Sequence, residues 1–273
     1  MGKNRRAIGV FDSGIGGLTA MRELSSLLPH ENIVYFGDTG RVPYGTRSRE
    51  TIIKYARQDA HFLCGFDLKL LLIACGTASY AALDVLQEEL PIPVYGVVES
   101  ASLRAVELTR NRRVAVLATP TTISGHAYGN CLKRLMPEVE VLEKACPLFV
   151  PVVENGRFAP EDPIVRILTE EYLAPVREMG ADTVILGCTH YPLLMNAISR
   201  CVPDVMLVNS SAEAAGMVAA YCQDSALAAP ENQIGTRRYF VSDSVAQFEQ
   251  NAQMYLGHGL DGSVEWVNIE KYE

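Results

Sequence analysis

Short apolar runs alternate along this chain with longer segments whose apolar positions recur at helical spacing. The runs that predict strands are AIGVFD (7–12), NIVYFGD (32–38), LKLLLIA (68–74), VYGVV (94–98), RVAVLAT (113–119), EVEVLEKA (138–145), DTVILGC (182–188), VMLVN (205–209) and RRYFVSD (237–243). Amphipathic stretches such as TAMRELSSLLP and RETIIKYARQDAHFL lie between them. This alternation predicts βαβ units and an α/β fold with mainly parallel sheets. Several runs are apolar on both faces, as strands covered by helices on each side must be.

Two of the runs end alike. LLLIACGTAS (71–80) and TVILGCTHYP (183–192) each pass from an apolar strand through a small residue and a cysteine into a Thr-containing turn, then a helix-like segment. The repeated grammar predicts two pseudo-symmetric α/β domains facing each other across a cleft, with Cys75 and Cys188 at its two walls. Ligands of open α/β sheets bind at the carboxyl ends of strands, where both cysteines fall. The segment after residue 210 is too short for a third domain. The expected division is therefore 1–97 plus 210–273 for a discontinuous first domain and 98–209 for the second. SALAAPENQIG (225–235) reads as the one loop of some length.

Bulk composition narrows the classes. A chain of 273 residues with 48% hydrophobic and 21% charged residues describes a soluble globular protein of one large or two ordinary domains. A net charge of −8 without a Lys/Arg stripe argues against nucleic-acid binding. It also makes recognition of any anionic substrate a local matter. The longest apolar run falls far short of a membrane span, and MGKNRRAIGVFDSG contains no signal core. Seven dispersed cysteines, with no CxxC and no Cys/His zinc spacing, predict reduced thiols in a cytoplasmic protein and no metal site.

Four segments carry candidate chemistry. FDSGIGGLTAMREL (11–24) is a strand, glycine turn and helix, a geometry that presents amides to an anion. Thr19 stands where a dinucleotide fingerprint needs its third glycine, so the turn suits a small anion better than a nucleotide; a ligand-free tight turn is the plain alternative. Asp12 beside it could orient an ammonium group or assist a thiol. GDTGRVPYGTRS (37–48) is a structured loop in which Tyr44 and Gly45 could offer a hydroxyl and an amide. A single free cysteine is most often a small buried hydrophobe, and Cys64, Cys131, Cys146, Cys201 and Cys222 fit that description. Cys75 and Cys188 differ because both precede helix N-termini, positions that lower a thiol pKa. Pro192 suits the first turn of a helix starting just beyond Cys188. His190 stands two residues from Cys188 and could set its protonation state.

Taken together, FDSGIGGLT, YFGDTGRVPYGTRS, ACGTAS, GVVES, VAVLATPTTI, CPLFVPVVE and LGCTHYPLL resemble, in this order and over nearly the whole chain, the glutamate racemases. The resemblance implies cofactor-independent racemisation of glutamate, supplying D-glutamate for bacterial cell walls. In it Cys75 and Cys188 are the acid/base thiols, the first acting on the α-proton of D-glutamate and the second on that of L-glutamate. Asp12 and His190 assist Cys75 and Cys188 respectively, and Glu154 is a further site acid. Asp12, Ser13, Pro43, Tyr44, Gly45, Gly76, Thr77, Thr189 and His190 fall on substrate-binding positions, with Thr119 and Thr121 on a neighbouring loop. A homodimer is the family's common state. The chain departs from the family pattern at Gly76, usually Asn, at Ser100, often Pro, and at Asn209, often Asp. Two other readings of the same residues are a cysteine hydrolase built on Cys188 and His190, and a nucleotide-binding protein built on the glycine turn. A racemase of aspartate or another acidic amino acid is the nearest variant.

Overall fold

In the computed structural model, which describes residues 5–273, the chain runs β1 (Ala7–Asp12), α1 (Leu18–Leu27), β2 (Ile33–Gly37), α2 (Arg49–Cys64), β3 (Leu68–Ile73), α3 (Gly76–Glu89), β4 (Val94–Tyr95) and α4 (Val98–Leu108). It continues through β5 (Arg113–Ala118), α5 (Pro120–Ser124), α6 (Ala127–Leu135), β6 (Glu140–Ala145), α7 (Phe149–Glu154), α8 (Pro163–Met179), β7 (Thr183–Leu186), α9 (Met195–Cys201) and β8 (Met206–Asn209). α10 (Ser210–Asp224), β9 (Arg237–Val241), α11 (Val245–Leu256) and β10 (Ser263–Trp266) complete it. Residues 1–4, part of the segment expected to hold no signal core, lie outside the described residues.

The strands form two all-parallel sheets, one in the order β10-β9-β2-β1-β3-β4 and one in the order β6-β5-β7-β8. The order 2-1-3-4 in the first sheet recurs as 6-5-7-8 in the second, so β3 and β7, the strands before the two cysteines, are equivalent elements. In each sheet the order reverses beside the strand that comes first in the chain, β1 or β5. That reversal opens a crevice at the strand ends on either side of it. β1 and β3 are buried along their full length, which explains why they are apolar but for Asp12 and Lys69. One large apolar cluster joins the halves: Ile8, Val10, Leu70 and Leu72 of the first sheet share it with Ala115, Leu117, Val184 and Leu186 of the second.

Two strand readings change. VYGVV keeps only Val94–Tyr95 as strand, because Val97 turns helical and its N–H donates to Ser79 Oγ at 3.2 Å. β10 is a strand that the apolar pattern does not predict: SVEW lies at a sheet edge with no buried face, so its sequence carries no alternation. Asn209 caps α10, its side chain accepting from the N–H groups of Ser211 and Ala212. An amide fills that role as well as a carboxylate.

The 225–235 loop is fastened from below. Lys69 and Glu31, almost wholly buried, pair with each other; Lys69 Nζ also donates to Leu227 O at 2.7 Å, and Glu31 accepts from Ala229 N–H at 2.7 Å. Removing one partner strands the other charge in the interior. Glu31→Ala is therefore expected to destabilise the fold by about 3–5 kcal/mol, measured by denaturant unfolding. A loss below about 1 kcal/mol would show that the pair does not hold this loop, since that is the range of an exposed pair.

Candidate active site

A cavity of about 360 Å³ opens where the carboxyl ends of both sheets meet. That volume lies in the range of small-molecule sites. The turns after β1 and β3 form one wall, and the turns after β5 and β7 form the other. Cys75 and Cys188 both line it, one from each sheet.

The glycine turn after β1 already has a partner within the chain. Asp12 is fully buried, its carboxylate accepting from Gly14 N–H at 3.0 Å and from the Thr189 hydroxyl at 3.4 Å. The Gly14 amide of the turn is thus taken by the chain's own Asp12 and is not offered to a ligand. Glycine is required at the turn: a Cβ on Gly17 would sit 2.5 Å from Asp12 Cβ, and one on Gly16 2.6 Å from His190 Nδ1. Asp38, placed where a ribose-binding acid would be, is likewise committed, to Arg41, Tyr44 and Ser242.

Cys75 caps α3. Its sulfur accepts from Ala78 N–H at 3.4 Å and lies 3.5 Å from Ser13 Oγ. The helix N-terminus does not lower this thiol as its place in the sequence predicts. Burial, reinforced by the Asp12 carboxylate, outweighs the Ala78 amide and pushes Cys75 up to about 12. Cys75 is a thiol at neutral pH. Asp12 is itself raised by burial, opposed by the His190 charge and the Gly17 and Gly14 amides.

The opposite wall is arranged differently. Cys188 Sγ lies 3.8 Å from His190 Nδ1, and His190 Nε2 lies 3.0 Å from Glu154 Oε1. Burial would lower the imidazole, but the bonds to Cys188 and Glu154 prevail and raise it to about 10. His190 is therefore a cation between the Cys188 sulfur and the Glu154 side chain. The Tyr255 ring meets it edge-on at 5.6 Å. The helix expected just beyond Cys188 begins as a 3₁₀ turn, Tyr191–Leu194, with Pro192 in its first positions; α9 follows.

Of the remaining residues named from the sequence, Ser13, Pro43, Gly45, Gly76, Thr77, Thr119 and Thr189 line the cavity, as does Glu154. Two residues do not act as expected. Tyr44 reaches the cavity, but its hydroxyl is buried against Asp38 and Asp59 and is not offered to a ligand. Thr121 lies off the cavity, its hydroxyl donating to Gly45 O at 2.8 Å and so tying the two walls together. Asp12 sits behind the wall and acts through the turn it holds. The hydroxyls of Thr77, Thr119 and Thr122 form a second tie, with separations of 2.9, 3.0 and 3.3 Å. Cys146, read as structural, also lines the cavity, with Val42, Val150 and Pro151. Burial pushes the Cys146 thiol up, so it behaves as an apolar surface. Nothing in the pattern of CPLFVPVVE separates that cysteine from the buried ones. Among the described residues no cluster of His, Cys, Asp or Glu could hold a metal ion, and no helix is long and apolar enough to cross a membrane.

The family model for Asp/Glu/hydantoin racemases matches residues 17–218, which hold three of the six strands of the first sheet and all four of the second. The chain belongs to this family. Among racemases of the family, it is 46% identical to the glutamate racemase of Geobacter metallireducens over 266 residues, 97% of each chain. A glutamate racemase isoform from Bacillus anthracis superposes with a TM-score of 0.91 at 38% identity, covering 97% of this chain and 98% of that one. The Francisella tularensis glutamate racemase in complex with D-glutamate gives a TM-score of 0.91 at 37% identity, over 98% of this chain and all of that one. The racemase fold is thus a shared feature.

Proposed function

We propose that this protein interconverts L- and D-glutamate by a two-base 1,1-proton transfer between Cys75 and Cys188. The observation that carries the reading is positional: the two thiols stand at the ends of equivalent strands, β3 and β7, on opposite walls of one cavity. Inversion at a carbon needs a base on one face and an acid on the other, and two pseudo-symmetric half-sites supply them. The names of the relatives, and the D-glutamate in the Francisella structure, support glutamate as substrate.

The electrostatics distinguish the two ends. With L-glutamate, Cys188 takes the α-proton as a thiolate beside the His190 cation, and Cys75, held as a thiol, delivers a proton to the opposite face. With D-glutamate the roles reverse and Asp12 is the neighbour of the attacking group. Free amides at the start of α3 and around Thr189 are placed to hold carboxylate and to stabilise charge building on Cα and its carboxylate. Both protons ride on sulfur, so the reaction as written needs neither metal nor pyridoxal phosphate. Physiologically, the product is D-glutamate for peptidoglycan, made in the cytoplasm. Cys188, His190 and Glu154 also stand in the order of a hydrolase nucleophile, base and orienting acid, but that reading leaves Cys75 without a role.

The test is a panel of single enantiomers of glutamate, aspartate, glutamine and alanine, with optical activity as readout and no cofactor added. Both glutamate enantiomers should run to an equal mixture, with the others far slower. Racemisation of aspartate in preference to glutamate, or none at all, would overturn the assignment.

A further inference from the structure

Part of the cavity wall comes from the loop between β2 and α2, through Val42, Pro43 and Gly45. This loop pairs with no strand, and its one regular element is the 3₁₀ turn Tyr44–Thr46. It must nevertheless stay close to the opposite wall, since a Cβ on Gly45 would lie 2.8 Å from Thr119 Cβ. What fastens it is a side chain that does not line the cavity. Arg41 Nε donates to Asp38 Oδ2 at 2.7 Å, just past the end of β2, and Nη2 donates to Asp59 Oδ1 at 2.9 Å, in α2. Nη1 donates to Gln58, and the guanidinium carbon lies 4.2 Å from the centre of the Tyr55 ring.

Both carboxylates are fully buried, and the Arg41 side chain is only 10% exposed. Burial and the Asp38 charge push Asp59 up, and the guanidinium works against them. Arg41 thus supplies a cation that lets two acids share the interior. Asp38 is fixed independently: its N–H donates to Asp12 O at 3.0 Å, and its carboxylate accepts from the Ser242 hydroxyl at 2.8 Å. The Tyr44 hydroxyl reaches the same two acids, Asp38 and, at 3.0 Å, Asp59. Arg41 and Tyr44 therefore pin the loop on both sides of Val42 and Pro43. A planar guanidinium keeps several such partners in fixed directions, which a lysine ammonium does not.

We propose that Arg41 is a positioning residue for substrate binding, whose guanidinium bridges Asp38 and Asp59 and so sets the 42–45 wall against Thr119. It rests on the glutamate racemase reading, which supplies the assay. The two thiols are carried by other turns, after β3 and β7. A wall that holds substrate alike before and during proton transfer governs KM and spares kcat.

The experiment is Arg41→Lys, assayed with both glutamate enantiomers. Lysine keeps a positive charge beside the two acids but not the bridge. KM is expected to rise about 10-fold for both enantiomers, the scale of one lost hydrogen bond to a charged group, with kcat within about threefold of the parent. A role in charge balance alone would leave KM at the parent value. A merely structural loss would lower the amount of active enzyme, and so the apparent kcat, without moving KM. Either of those two results overturns the clamp. Should Arg41→Lys not fold, Tyr44→Phe decides, because it removes one bridge and leaves every charge in place. Its KM should rise at least about threefold at near-parental kcat, and an unchanged KM overturns the proposal. The two ideas fail differently. If the parent converts neither enantiomer of glutamate, the racemase reading fails and the clamp falls with it; if the parent is active and KM does not move, only the clamp fails.

Discussion

Cys188→Ala is expected to lose racemisation by about 10²–10⁴-fold with either enantiomer as substrate, the range associated with removing a positioned acid or base. The enantiomers have equal free energy, so kcat/KM must fall by the same factor in both directions even though the proposed mechanism makes Cys188 a base in one and an acid in the other. Folding should survive: the side chain borders the cavity, and the loop's backbone anchors, such as Gly187 N–H to Leu117 O, do not involve sulfur. Polarimetry of pure D- and pure L-glutamate checks the activity, and thermal unfolding checks the fold. A cysteine hydrolase would also fail on this substitution but would tolerate Cys75→Ala, so the second variant separates the two chemistries.

His190→Asn is expected to be the next most damaging change, with a loss of about 10²-fold, the lower end for a group assisting proton transfer. The imidazole lies between Cys188 and Glu154, and its pKa of about 10 keeps it cationic at neutral pH. The cation is complete well below that value and is lost as pH rises through it, so the charge beside Cys188 disappears at the alkaline end. Without the ring, the barrier should rise most for abstraction by Cys188, and the Cα deuterium isotope effect should grow more with L-glutamate than with D-glutamate. Ring NMR signals in the parent should titrate near pH 10 and fall back towards the ordinary histidine range in Cys188→Ala. Equal growth of both isotope effects would mean that His190 does not belong to the Cys188 side. Glu154 touches the ring from a side chain 40% exposed, and its replacement should cost much less.

The pairing of Cys75 with Cys188 is legible in the sequence because a strand end leaves a strong local signature, and the same signature twice implies two equivalent half-sites. β3 and β7 carry it, and the sheet orders 2-1-3-4 and 6-5-7-8 are its three-dimensional form. β10 is not legible, since an exposed edge strand has no buried face to write alternation into its sequence. Tyr44 and Thr121 lie near the site as the sequence predicts, but their contacts differ from those expected. Whether a hydroxyl faces a ligand or a buried carboxylate depends on Asp59, fifteen residues away in α2, and on Gly45 across the cleft. Local sequence is silent about such partners. The raised pKa of Cys75 is hidden for a related reason: a helix N-terminus is a local feature, but full burial beside Asp12 is a product of the assembled fold.

Solvent deuterium uptake at Cα, read separately for each enantiomer in the two cysteine variants, tests the central claim most directly. In heavy water, Cys188→Ala keeps only the base on the D-face and should exchange D-glutamate without inverting it. Cys75→Ala should exchange only L-glutamate. Full racemisation in either variant, or exchange of the same enantiomer in both, would contradict a site in which each thiol serves one face of the substrate.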